Sequence, residues 1–539
     1  MNERIKNSRV KGFLDVKNGK LVNGDGEEII LSGWGLGNWM LCEGYMWLSH
    51  NKRFDRPRNI EAVVEELTGK DYAAKFWPQF RENYITEADV RRMAELGYNS
   101  VRIPISYRLF MEEGEELTWI DEGFCLLDRF IDWCEKYKLY AFIDLHGAPG
   151  GQTGANIDDC VDDVPRLFVD QYQFDKGIAL WKKLAERYKD RWIVGGYDLL
   201  NEPIRPSYSE QQKNYDYLIP RLIEFYEKAT AAIREVGDKH VLSIEGHHWA
   251  TETNIFCKKY DDKMVLHFHR YGAFPDKKCL EKYIETAKRW NIPLWLGETG
   301  ENLPEWYAAL YPLCVELGIG YNIWPWKKMD TLNSPYSVKK PDGWDLLLDY
   351  TEGGAHPGYA QARKILDSYL ENMKLENCDS NDVVNLSVFR QPGCTIKAID
   401  FDEFPGAGES FSGIQKEENS YEYRIGTFMK IVEGGEEYVK SAGFDCAWKK
   451  YALEMKEGEF AVYSFNDIKE NSTVRLRYKA LQDTKVRVLQ DNQLLKELDM
   501  TKTVDYSVTE ELPLSVSEKS AIRVEVTKGV VVLTDVQSR

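Results

Sequence analysis

Residues 139–154, LYAFIDLHGAPGGQTG, contain the pattern that decides the fold. A short and almost wholly apolar run, 139–145, ends in His146 and a glycine-rich turn. A strand buried in a parallel sheet has this composition, because helices cover both of its faces. Residues 194–202, VGGYDLLNE, repeat the arrangement with Asn201 and Glu202 after the apolar run. The two segments predict parallel strands whose C-terminal ends carry polar side chains.

The same pattern recurs six more times along the chain. Amphipathic stretches with helical spacing separate the runs, at 86–96, 122–136, 176–188, 214–236, 279–290 and 306–317. Eight strand–helix units predict an α/β fold, the closed (β/α)8 barrel. The rival is an open doubly wound sheet, but that fold usually carries a glycine-rich phosphate turn, and no GxGxxG follows a strand here. The six other strands are expected at 29–35, 98–105, 241–245, 264–269, 293–297 and 319–324.

The sequence changes character after a last helix predicted at 357–373. Residues 375–383 lose the apolar periodicity and predict a linker. Short alternating strands are expected beyond it, the first at 387–389, with no helical stretch of comparable strength. We therefore expect a barrel domain over 1–374 and an antiparallel β-sandwich over 384–539. The other sandwich strands are expected at 460–463, 473–477, 486–489, 521–526 and 530–533.

Charge and composition exclude several classes of protein. The 88 acidic and 70 basic residues of the 539 give a net charge of −18, which argues against nucleic acid or an anionic membrane as a partner. No apolar run approaches the roughly 18 residues of a transmembrane helix. The first residues, MNERIKN, lack the apolar stretch of a secretory signal, and none of the ten cysteines forms a CxxC pair. We expect a cytoplasmic protein with free thiols and no zinc ribbon, unless a leader has been removed.

Six of the predicted strands deliver polar or aromatic residues to their C-terminal ends. In a barrel these ends form the active-site face. Several polar groups converging on one rim are costly to desolvate, and structural need alone seldom requires them. The residues are Arg102, His146, Asn201 with Glu202, the segment 267–271, Glu298 and Trp324.

Glu202 and Glu298 form the candidate catalytic pair. Each follows an apolar strand, and neither has a basic neighbour immediately in sequence. The fourth and seventh strands face each other across a small barrel, so their carboxyl groups can approach closely. Retaining glycoside hydrolysis needs one protonated and one ionised carboxyl group about 5 to 5.5 Å apart. For each glutamate alone, the structural alternative is a salt bridge at the top of the barrel.

The order of these residues along the chain resembles that of a known family. The resemblance is to glycoside hydrolase family 5, a family of retaining (β/α)8 enzymes, and it spans about residues 12–370. Within that family, 35–43 (GLGNWMLCE) and the turn 146–154 look like segments of the exo-β-1,3-glucanase group. The residues that match the eight recurring active-site positions are Arg102, His146, Asn201, Glu202, His269, Tyr271, Glu298 and Trp324.

The resemblance implies a role for each residue around the reacting bond. Glu202 would be the general acid/base and Glu298 the nucleophile. Asn201 would bond the sugar 2-hydroxyl, a contact that strengthens in the transition state. Arg102 and Tyr271 would keep Glu298 ionised and correctly aimed, because a nearby cation favours a carboxylate.

Further residues would bind the sugar itself. By the same resemblance, His146 and His269 would bind hydroxyl groups or orient the glutamates, and Trp324 would be the floor under the reacting sugar. Glu43 matches a position that caps the non-reducing end in exo-acting members. Trp249 either contacts sugar or packs at the mouth of the barrel.

Two segments depart from the exo-glucanase pattern. The loop 156–159 differs from the acidic turn of that group, and Lys327-Lys328-Met329 lacks the glutamate usual after the lysine. The sugar therefore stays open, since related groups act on β-1,4-glucans, β-mannans, aryl or disaccharide glycosides and galactofuranosides. We expect an exo-acting enzyme for β-glucosides or short β-glucan oligosaccharides that needs no cofactor.

The C-terminal region resembles carbohydrate-binding β-sandwich modules of the family 6 type through 396–402, IKAIDFD. The two glutamates that commonly hold a structural calcium in such modules are replaced by Lys397 and Ile399. Neither side chain can ligate calcium, so we predict that this ion is absent. Trp448 and Tyr451 either stack on sugar or pack in the interior, and packing is the favoured interpretation.

Two other classes of protein are alternatives. In a metal-dependent hydrolase, His267, His269 and His146 would be ligands. Barrel metallohydrolases normally carry HxH on the first strand and an aspartate after the eighth, whereas here HxH lies on the sixth and a tryptophan ends the eighth. His267 alternates with His269 and is expected to be a core histidine. A sugar-binding protein without catalysis would not need both glutamates intact.

Overall fold

The structure is a computed structural model that describes residues 2–415, 421–435 and 439–539. Eight parallel strands form a closed barrel in which each pairs with the next along the chain and the last pairs with the first, so the expected (β/α)8 fold is confirmed. A hairpin of β1 (Asp15–Lys17) and β2 (Lys20–Val22) precedes it. The barrel strands are β3 (Ser32–Gly35), β4 (Ser100–Ser106), β5 (Tyr140–Gly147), β6 (Val194–Asp198), β7 (Val241–Glu245), β8 (Met264–Arg270), β9 (Leu294–Gly300) and β10 (Gly320–Trp324).

Amphipathic helices cover the outside of the barrel. In the helix Glu122–Tyr137, for example, the buried residues recur every three or four positions from Phe124 to Cys134, so one face packs on the strands. The helices are α1 (Pro57–Thr68), α2 (Lys70–Tyr84), α3 (Glu87–Glu95), α4 (Glu122–Tyr137), α5 (Arg166–Val169), α6 (Gln171–Tyr188), α7 (Ile219–Glu235), α8 (His247–Ala250), α9 (Glu281–Trp290), α10 (Pro304–Leu317), α11 (Trp344–Thr351) and α12 (Tyr359–Asn372). Of these, α8 is a single irregular turn after β7, in which His248 and Trp249 have positive φ values.

The segment after the barrel is ordered secondary structure. The short strands β11 (Lys327–Met329), β12 (Tyr336–Val338) and β13 (Asp379–Ser380) form a small sheet. Helix α13 (Asp382–Val388) follows, so the strand predicted at 387–389 is wrong. Val384 and Val388 lie four residues apart and are both buried, and α13 packs against α10. Helical spacing of the apolar residues outweighs the strand preference of the valines.

The C-terminal region forms two antiparallel sheets, as expected for a β-sandwich. One sheet has β25 at its centre and the other has β24, so the last two strands form the middle of the domain. The strands at 451–456 and 493–500 were not predicted from the sequence. The strands are β14 (Thr395–Lys397), β15 (Phe411–Ser412), β16 (Lys430–Glu433), β17 (Tyr451–Lys456), β18 (Phe460–Ile468), β19 (Thr473–Ala480), β20 (Thr484–Gln490), β21 (Gln493–Met500), β22 (Ser507–Val508), β23 (Leu512–Pro513), β24 (Ser517–Lys528) and β25 (Val530–Ser538).

The sandwich packs firmly against the barrel. Arg390 donates from Nε to the carbonyl of Ala308 in α10 at 2.6 Å. Trp448 is fully buried, and the ring of Tyr451 packs edge-on against Phe274, 6.0 Å between centroids. Both aromatics therefore pack in the interior, as favoured from the sequence. In the described part of the chain, no helix has the length and apolarity needed to span a bilayer.

Candidate active site

The two candidate catalytic glutamates meet at the C-terminal rim of the barrel. Glu202 follows β6 and Glu298 lies near the end of β9. One carboxylate oxygen of each lies within 4.8 Å of the other and of a ring nitrogen of His269. The spacing is that of the carboxyl pair in retaining glycosidases, about 5 Å, and is too short for the inverting arrangement.

Arg102 lies beneath this pair and is fully buried. Its Nη1 donates to Glu298 Oε2 at 2.6 Å, and its Nε donates to Asp198 at 2.8 Å. Asp144 and Glu245 each lie 3.1 Å from Nη2. Burial lowers the pKa of the guanidinium, but the carboxylates outweigh burial and raise it, so Arg102 stays charged. One cation thus ties together carboxylates from four strands.

Glu298 is held on both of its oxygens. Arg102 bonds Oε2, and the Tyr271 hydroxyl donates to Oε1 at 2.9 Å. Burial raises the pKa of Glu298, but the His269 and Arg102 cations outweigh burial and lower it below its ordinary value. Glu298 is therefore ionised and fixed in direction, as a nucleophile must be.

A chain of hydrogen bonds links Glu202 to the base of the site. His269 Nδ1 lies 2.8 Å from Glu202 Oε1, and its Nε2 lies 3.1 Å from His267 Nε2. His267 Nδ1 lies 3.1 Å from Asp198. Burial lowers the pKa of His267 to about 4, whereas Glu245 and Glu298 outweigh burial and raise the pKa of His269 well above its usual value. His269 therefore donates from both nitrogens, and neutral His267 accepts.

His267 is fully buried, as expected of a core histidine. Its position depends on Gly297, because a Cβ there would lie 2.0 Å from His267 Nε2. A side chain at position 297 would displace His267, and with it the hydrogen-bond partner of His269.

Glu202 has an unusual backbone conformation. Its φ is +45°, and its N–H donates to Glu245 Oε2 at 2.7 Å. Ile204, two residues on, has a φ of +53°. Non-glycine residues in this region are uncommon and concentrate at functional sites, where the surroundings hold them in place. Glu245 thus fixes the direction in which the acid/base candidate leaves the strand.

Asn201 and His146 form a second linked pair. Arg102 Nη2 donates to Asn201 Oδ1 at 2.8 Å, which leaves Nδ2 to point toward His146 Nε2 at 3.3 Å. His146 Nδ1 lies 2.9 Å from Asp144. Burial lowers the pKa of His146 to about 4, so the ring is neutral and donates to Asp144. The amide orientation of Asn201 is therefore determined by its neighbours.

Trp324 forms one wall of the site. Its ring stacks on His146 with 5.4 Å between centroids and 2° between planes, and its Nε1 donates to the Tyr45 hydroxyl at 2.8 Å. Gly35 and Gly37 are needed opposite it, since a Cβ at either position would lie 2.5 or 2.6 Å from the indole. The indole therefore lies against the backbone of Gly35 and Gly37 and is 4% exposed at the rim.

Glu43 lies on the same side of the rim and is 7% exposed. Burial, followed by the charges of Glu298 and Glu301, raises its pKa well above the ordinary value, although Lys328 opposes the shift. Lys328 forms an ion pair with Glu301. The Lys328–Glu301 pair lies where the sequence departs from the exo-glucanase pattern.

Trp249 lies beside the loop that follows Glu202. His248 and Trp249 have φ values of +55° and +59°, and the His248 N–H donates to the Ile204 carbonyl at 2.8 Å. Trp249 Nε1 donates to the hydroxyl of Tyr208, which is 70% exposed. Trp249 is therefore at the mouth, next to the acid/base candidate. Trp34, Trp39 and Trp47, in and after β3, are by contrast fully buried.

All ten residues expected at the site lie on this rim, and their individual roles remain predictions. Three further members, Asp144, Asp198 and Glu245, were missed from the sequence. Each is a fully buried carboxylate inside an apolar strand run. A charge in such a run is rarely buried without a partner, and this signal was available in the sequence.

The metal-hydrolase alternative requires a group of ligands at the rim that could hold a cation. Two groups of potential ligands occur among the described residues, Glu245 with His267 and His269, and Glu202 with His269 and Glu298, and neither includes His146. Arg102 Nη2 lies 3.1 Å from Glu245, and the carboxylates around His269 raise its pKa. The guanidinium of Arg102 would repel a cation bound at Glu245.

Treatment with EDTA is therefore expected to leave both activity and melting temperature unchanged. Hydrolysis assays and thermal melts before and after dialysis against the chelator provide the measurement. A loss of activity that Zn²⁺ restores would instead support the metal-hydrolase alternative.

Tyr271→Phe is expected to shift the acid limb of kcat/KM to higher pH. The change removes a hydrogen bond that favours ionised Glu298, so the pKa of Glu298 rises. Activity is lost as the pH falls through that pKa, because only the ionised carboxylate attacks. We also expect kcat at neutral pH to fall about tenfold. The control is Tyr283→Phe, which removes a hydroxyl that donates to Thr251 behind the rim. An unmoved limb in Tyr271→Phe would contradict this role.

Comparison with known proteins identifies the family. Residues 62–330 match the family model of cellulases, glycosyl hydrolase family 5. A β-xylosidase of Phanerodontia chrysosporium is 32% identical over 56% of this chain and 60% of its own length. A glucan 1,3-β-glucosidase of Schwanniomyces occidentalis is 28% identical over 54% of this chain and 69% of its own. The solved structure of an endogalactoceramidase aligns with 97% of this chain and 99% of its own at 13% identity, with a TM-score of 0.45. The chain belongs to glycosyl hydrolase family 5.

Proposed function

We propose that this protein is a retaining β-glycoside hydrolase that acts by double displacement. The observation that carries the proposal is the pair Glu202 and Glu298, with carboxylate oxygens within 4.8 Å of each other at the barrel rim. This spacing lets one carboxylate bond the anomeric carbon while the other reaches the departing oxygen.

In the first step Glu298 attacks the anomeric carbon and forms a glycosyl–enzyme ester. The bond to the leaving oxygen breaks as Glu202 gives that oxygen a proton. In the second step Glu202 takes a proton from water, the water attacks the same carbon, and Glu298 is released with its electron pair. Two inversions return the original β configuration.

The surrounding residues support these steps. Arg102 and Tyr271 favour the ionised form of Glu298 before it attacks. The same two hydrogen bonds stabilise the Glu298 carboxylate when it leaves the sugar in the second step. His269 bonds Glu202 and orients it toward the gap between the carboxyl groups. Asn201 already bonds Arg102 through its carbonyl, so its amide nitrogen is the group that faces a sugar 2-hydroxyl.

We further propose exo action on β-glucosides or short β-glucan oligosaccharides. The resemblance of Glu43 to a residue that caps the non-reducing end supports this proposal, and Glu43 lies close enough to Glu298 for that charge, after burial, to raise its pKa. The names of the relatives, a β-xylosidase and glucan 1,3-β-glucosidases, support an exo-acting enzyme with a β-linked substrate. The match covers about three fifths of the length of the β-xylosidase. The identity of the sugar is therefore proposed here and is not taken from that relative.

A panel of aryl β-glycosides and short oligosaccharides tests the proposal. We expect hydrolysis of β-glucosides first, with the β-anomer of the released sugar appearing before mutarotation in the NMR spectrum. An initial α-anomer would overturn double displacement, and release of internal fragments from long glucans would overturn exo action.

We also propose that the protein works in a reducing compartment. All ten cysteines have free thiols, and five of them are buried. Burial raises the pKa of the buried thiols, for example those of Cys42 and Cys314, which lowers their reactivity. Titration of denatured protein with a thiol reagent, without reductant, should count ten thiols.

A further inference from the structure

A loop of the β-sandwich, residues 439–446, lies on the catalytic rim of the barrel. The N–H of Phe444 donates to the carbonyl of Glu301 at 3.3 Å, and its own carbonyl accepts from Nδ2 of buried Asn302 at 2.9 Å. Asp445 accepts from the N–H of Ser441 at 2.9 Å and holds the loop in its turn. Two hydrogen bonds to the segment after β9 therefore fix the backbone of Phe444 beside the site.

The ring of Phe444 packs on Tyr271, with 4.4 Å between centroids and 34° between planes. Tyr271 in turn bonds the nucleophile candidate Glu298. Phe444 is nevertheless 41% exposed, so the part of its ring that does not meet Tyr271 is open to solvent. Phe444 thus offers an apolar surface next to Tyr271, and Tyr271 is the only residue between it and Glu298 in this series of contacts.

The order of strands around the barrel shows where Phe444 lies on the rim relative to the two glutamates. Glu202 must protonate the leaving oxygen, so the leaving group lies on the part of the rim that carries Glu202. β6, β7 and β8 lead in turn to Glu202, Trp249 and Tyr271, and Phe444 packs on Tyr271 and is bonded to the segment after β9. The groups proposed to hold the sugar, Trp324 and Glu43, lie at β10 and after β3, which β4 and β5 separate from β6 and β9 separates from β8.

We propose that Phe444 and Trp249 border the subsite for the leaving group, and that this subsite takes an aglycone with an apolar chain or ring. The proposal rests on the proposed function, because it assigns the leaving group to the side of Glu202. The β-sandwich thereby becomes part of the specificity of the enzyme: its loop supplies a surface that the barrel alone does not have.

Affinities for two glucosides that differ only in the aglycone test the proposal. The Glu298→Gln protein, in which turnover is stopped, is titrated calorimetrically with methyl and with hexyl β-D-glucopyranoside. We expect the hexyl glucoside to bind at least about tenfold more tightly, because its chain loses contact with water. Adding Phe444→Ala should reduce the ratio to about threefold or less, with the affinity for the methyl glucoside unchanged within about twofold.

Two variants separate the subsite from a general effect on folding. Phe444→Leu keeps an apolar side chain and should retain most of the preference. Phe428→Ala removes an aromatic that is 55% exposed in the same domain but outside the loop, and it should change neither affinity. Equal affinities in the Glu298→Gln protein, or a preference that survives Phe444→Ala, would overturn the subsite. If the preference exists but the native chain hydrolyses neither these glucosides nor any member of the aryl β-glycoside panel, the proposed function fails; the apolar contact at Phe444 then stands, but its assignment to a leaving group does not.

Discussion

Glu298→Ala is expected to lower kcat on aryl β-glycosides by about 10⁴-fold or more. The carboxylate that forms the covalent bond is gone, and no other carboxylate takes its place, because Asp198 and Glu245 are already bound to Arg102 below. The alanine also leaves a space beside the Arg102 guanidinium, which Glu298 Oε2 contacts at 2.6 Å in the native chain.

Azide is expected to restore turnover in this variant by occupying that space. It is small and anionic, so Arg102 favours its binding, and it attacks the anomeric carbon from the side that Glu298 occupied. The product is then an α-glycosyl azide, identified by NMR. Glu301→Ala is the matched control, because Glu301 lies three residues further on, is paired with Lys328 and should show a far smaller loss without azide rescue. Undiminished activity of Glu298→Ala would remove Glu298 as the nucleophile.

Glu202→Gln is expected to produce a loss that depends on the leaving group. In the native chain, His269 Nδ1 lies 2.8 Å from Glu202 Oε1. Glutamine keeps an oxygen that can accept this hydrogen bond, but it cannot give the leaving oxygen a proton in the first step. Glycosides with poor leaving groups, such as alkyl glycosides, should lose about 10³-fold or more in kcat/KM. Dinitrophenyl glycosides, whose leaving groups depart without protonation, should lose far less.

The companion variant Glu202→Ala separates the two glutamates by stereochemistry. With the acid/base removed, azide attacks the glycosyl–enzyme from the side opposite Glu298 and gives a β-glycosyl azide. The α product from Glu298→Ala and the β product from Glu202→Ala together assign both roles. Equal losses on alkyl and dinitrophenyl glycosides would count against Glu202 as the acid.

The barrel could be predicted from the sequence because its strands are buried on both faces. Apolar runs such as 139–145 are distinct in the chain, and the residue after each run lies on the rim by topology alone. The pairing of Glu202 with Glu298 follows from the same rule. The helix at Asp382–Val388 could not be predicted in this way, because its seven residues contain valines that favour strands, and only packing on α10 decides between the two.

Other parts of the site depend on contacts that leave no local pattern. The positive φ of Glu202 follows from a hydrogen bond to Glu245, which is 43 residues away. Phe444 reaches Tyr271 from another domain, and nothing in the residues around it distinguishes it from other exposed aromatics. Sequence periodicity describes which face of an element is buried, but it does not describe which distant segment covers that face.

The central place of β25 in its sheet has a consequence for biosynthesis. Its partners include β14, so Thr395 meets Gln537 only after the whole intervening chain has left the ribosome. The barrel strands are complete at Trp324, and at 5–20 residues per second the nascent enzyme spends roughly 10 to 40 seconds with a closed barrel and an unfinished sandwich. During that interval the apolar face of α10 that later receives the sandwich is uncovered, which makes it a natural place for a chaperone to bind.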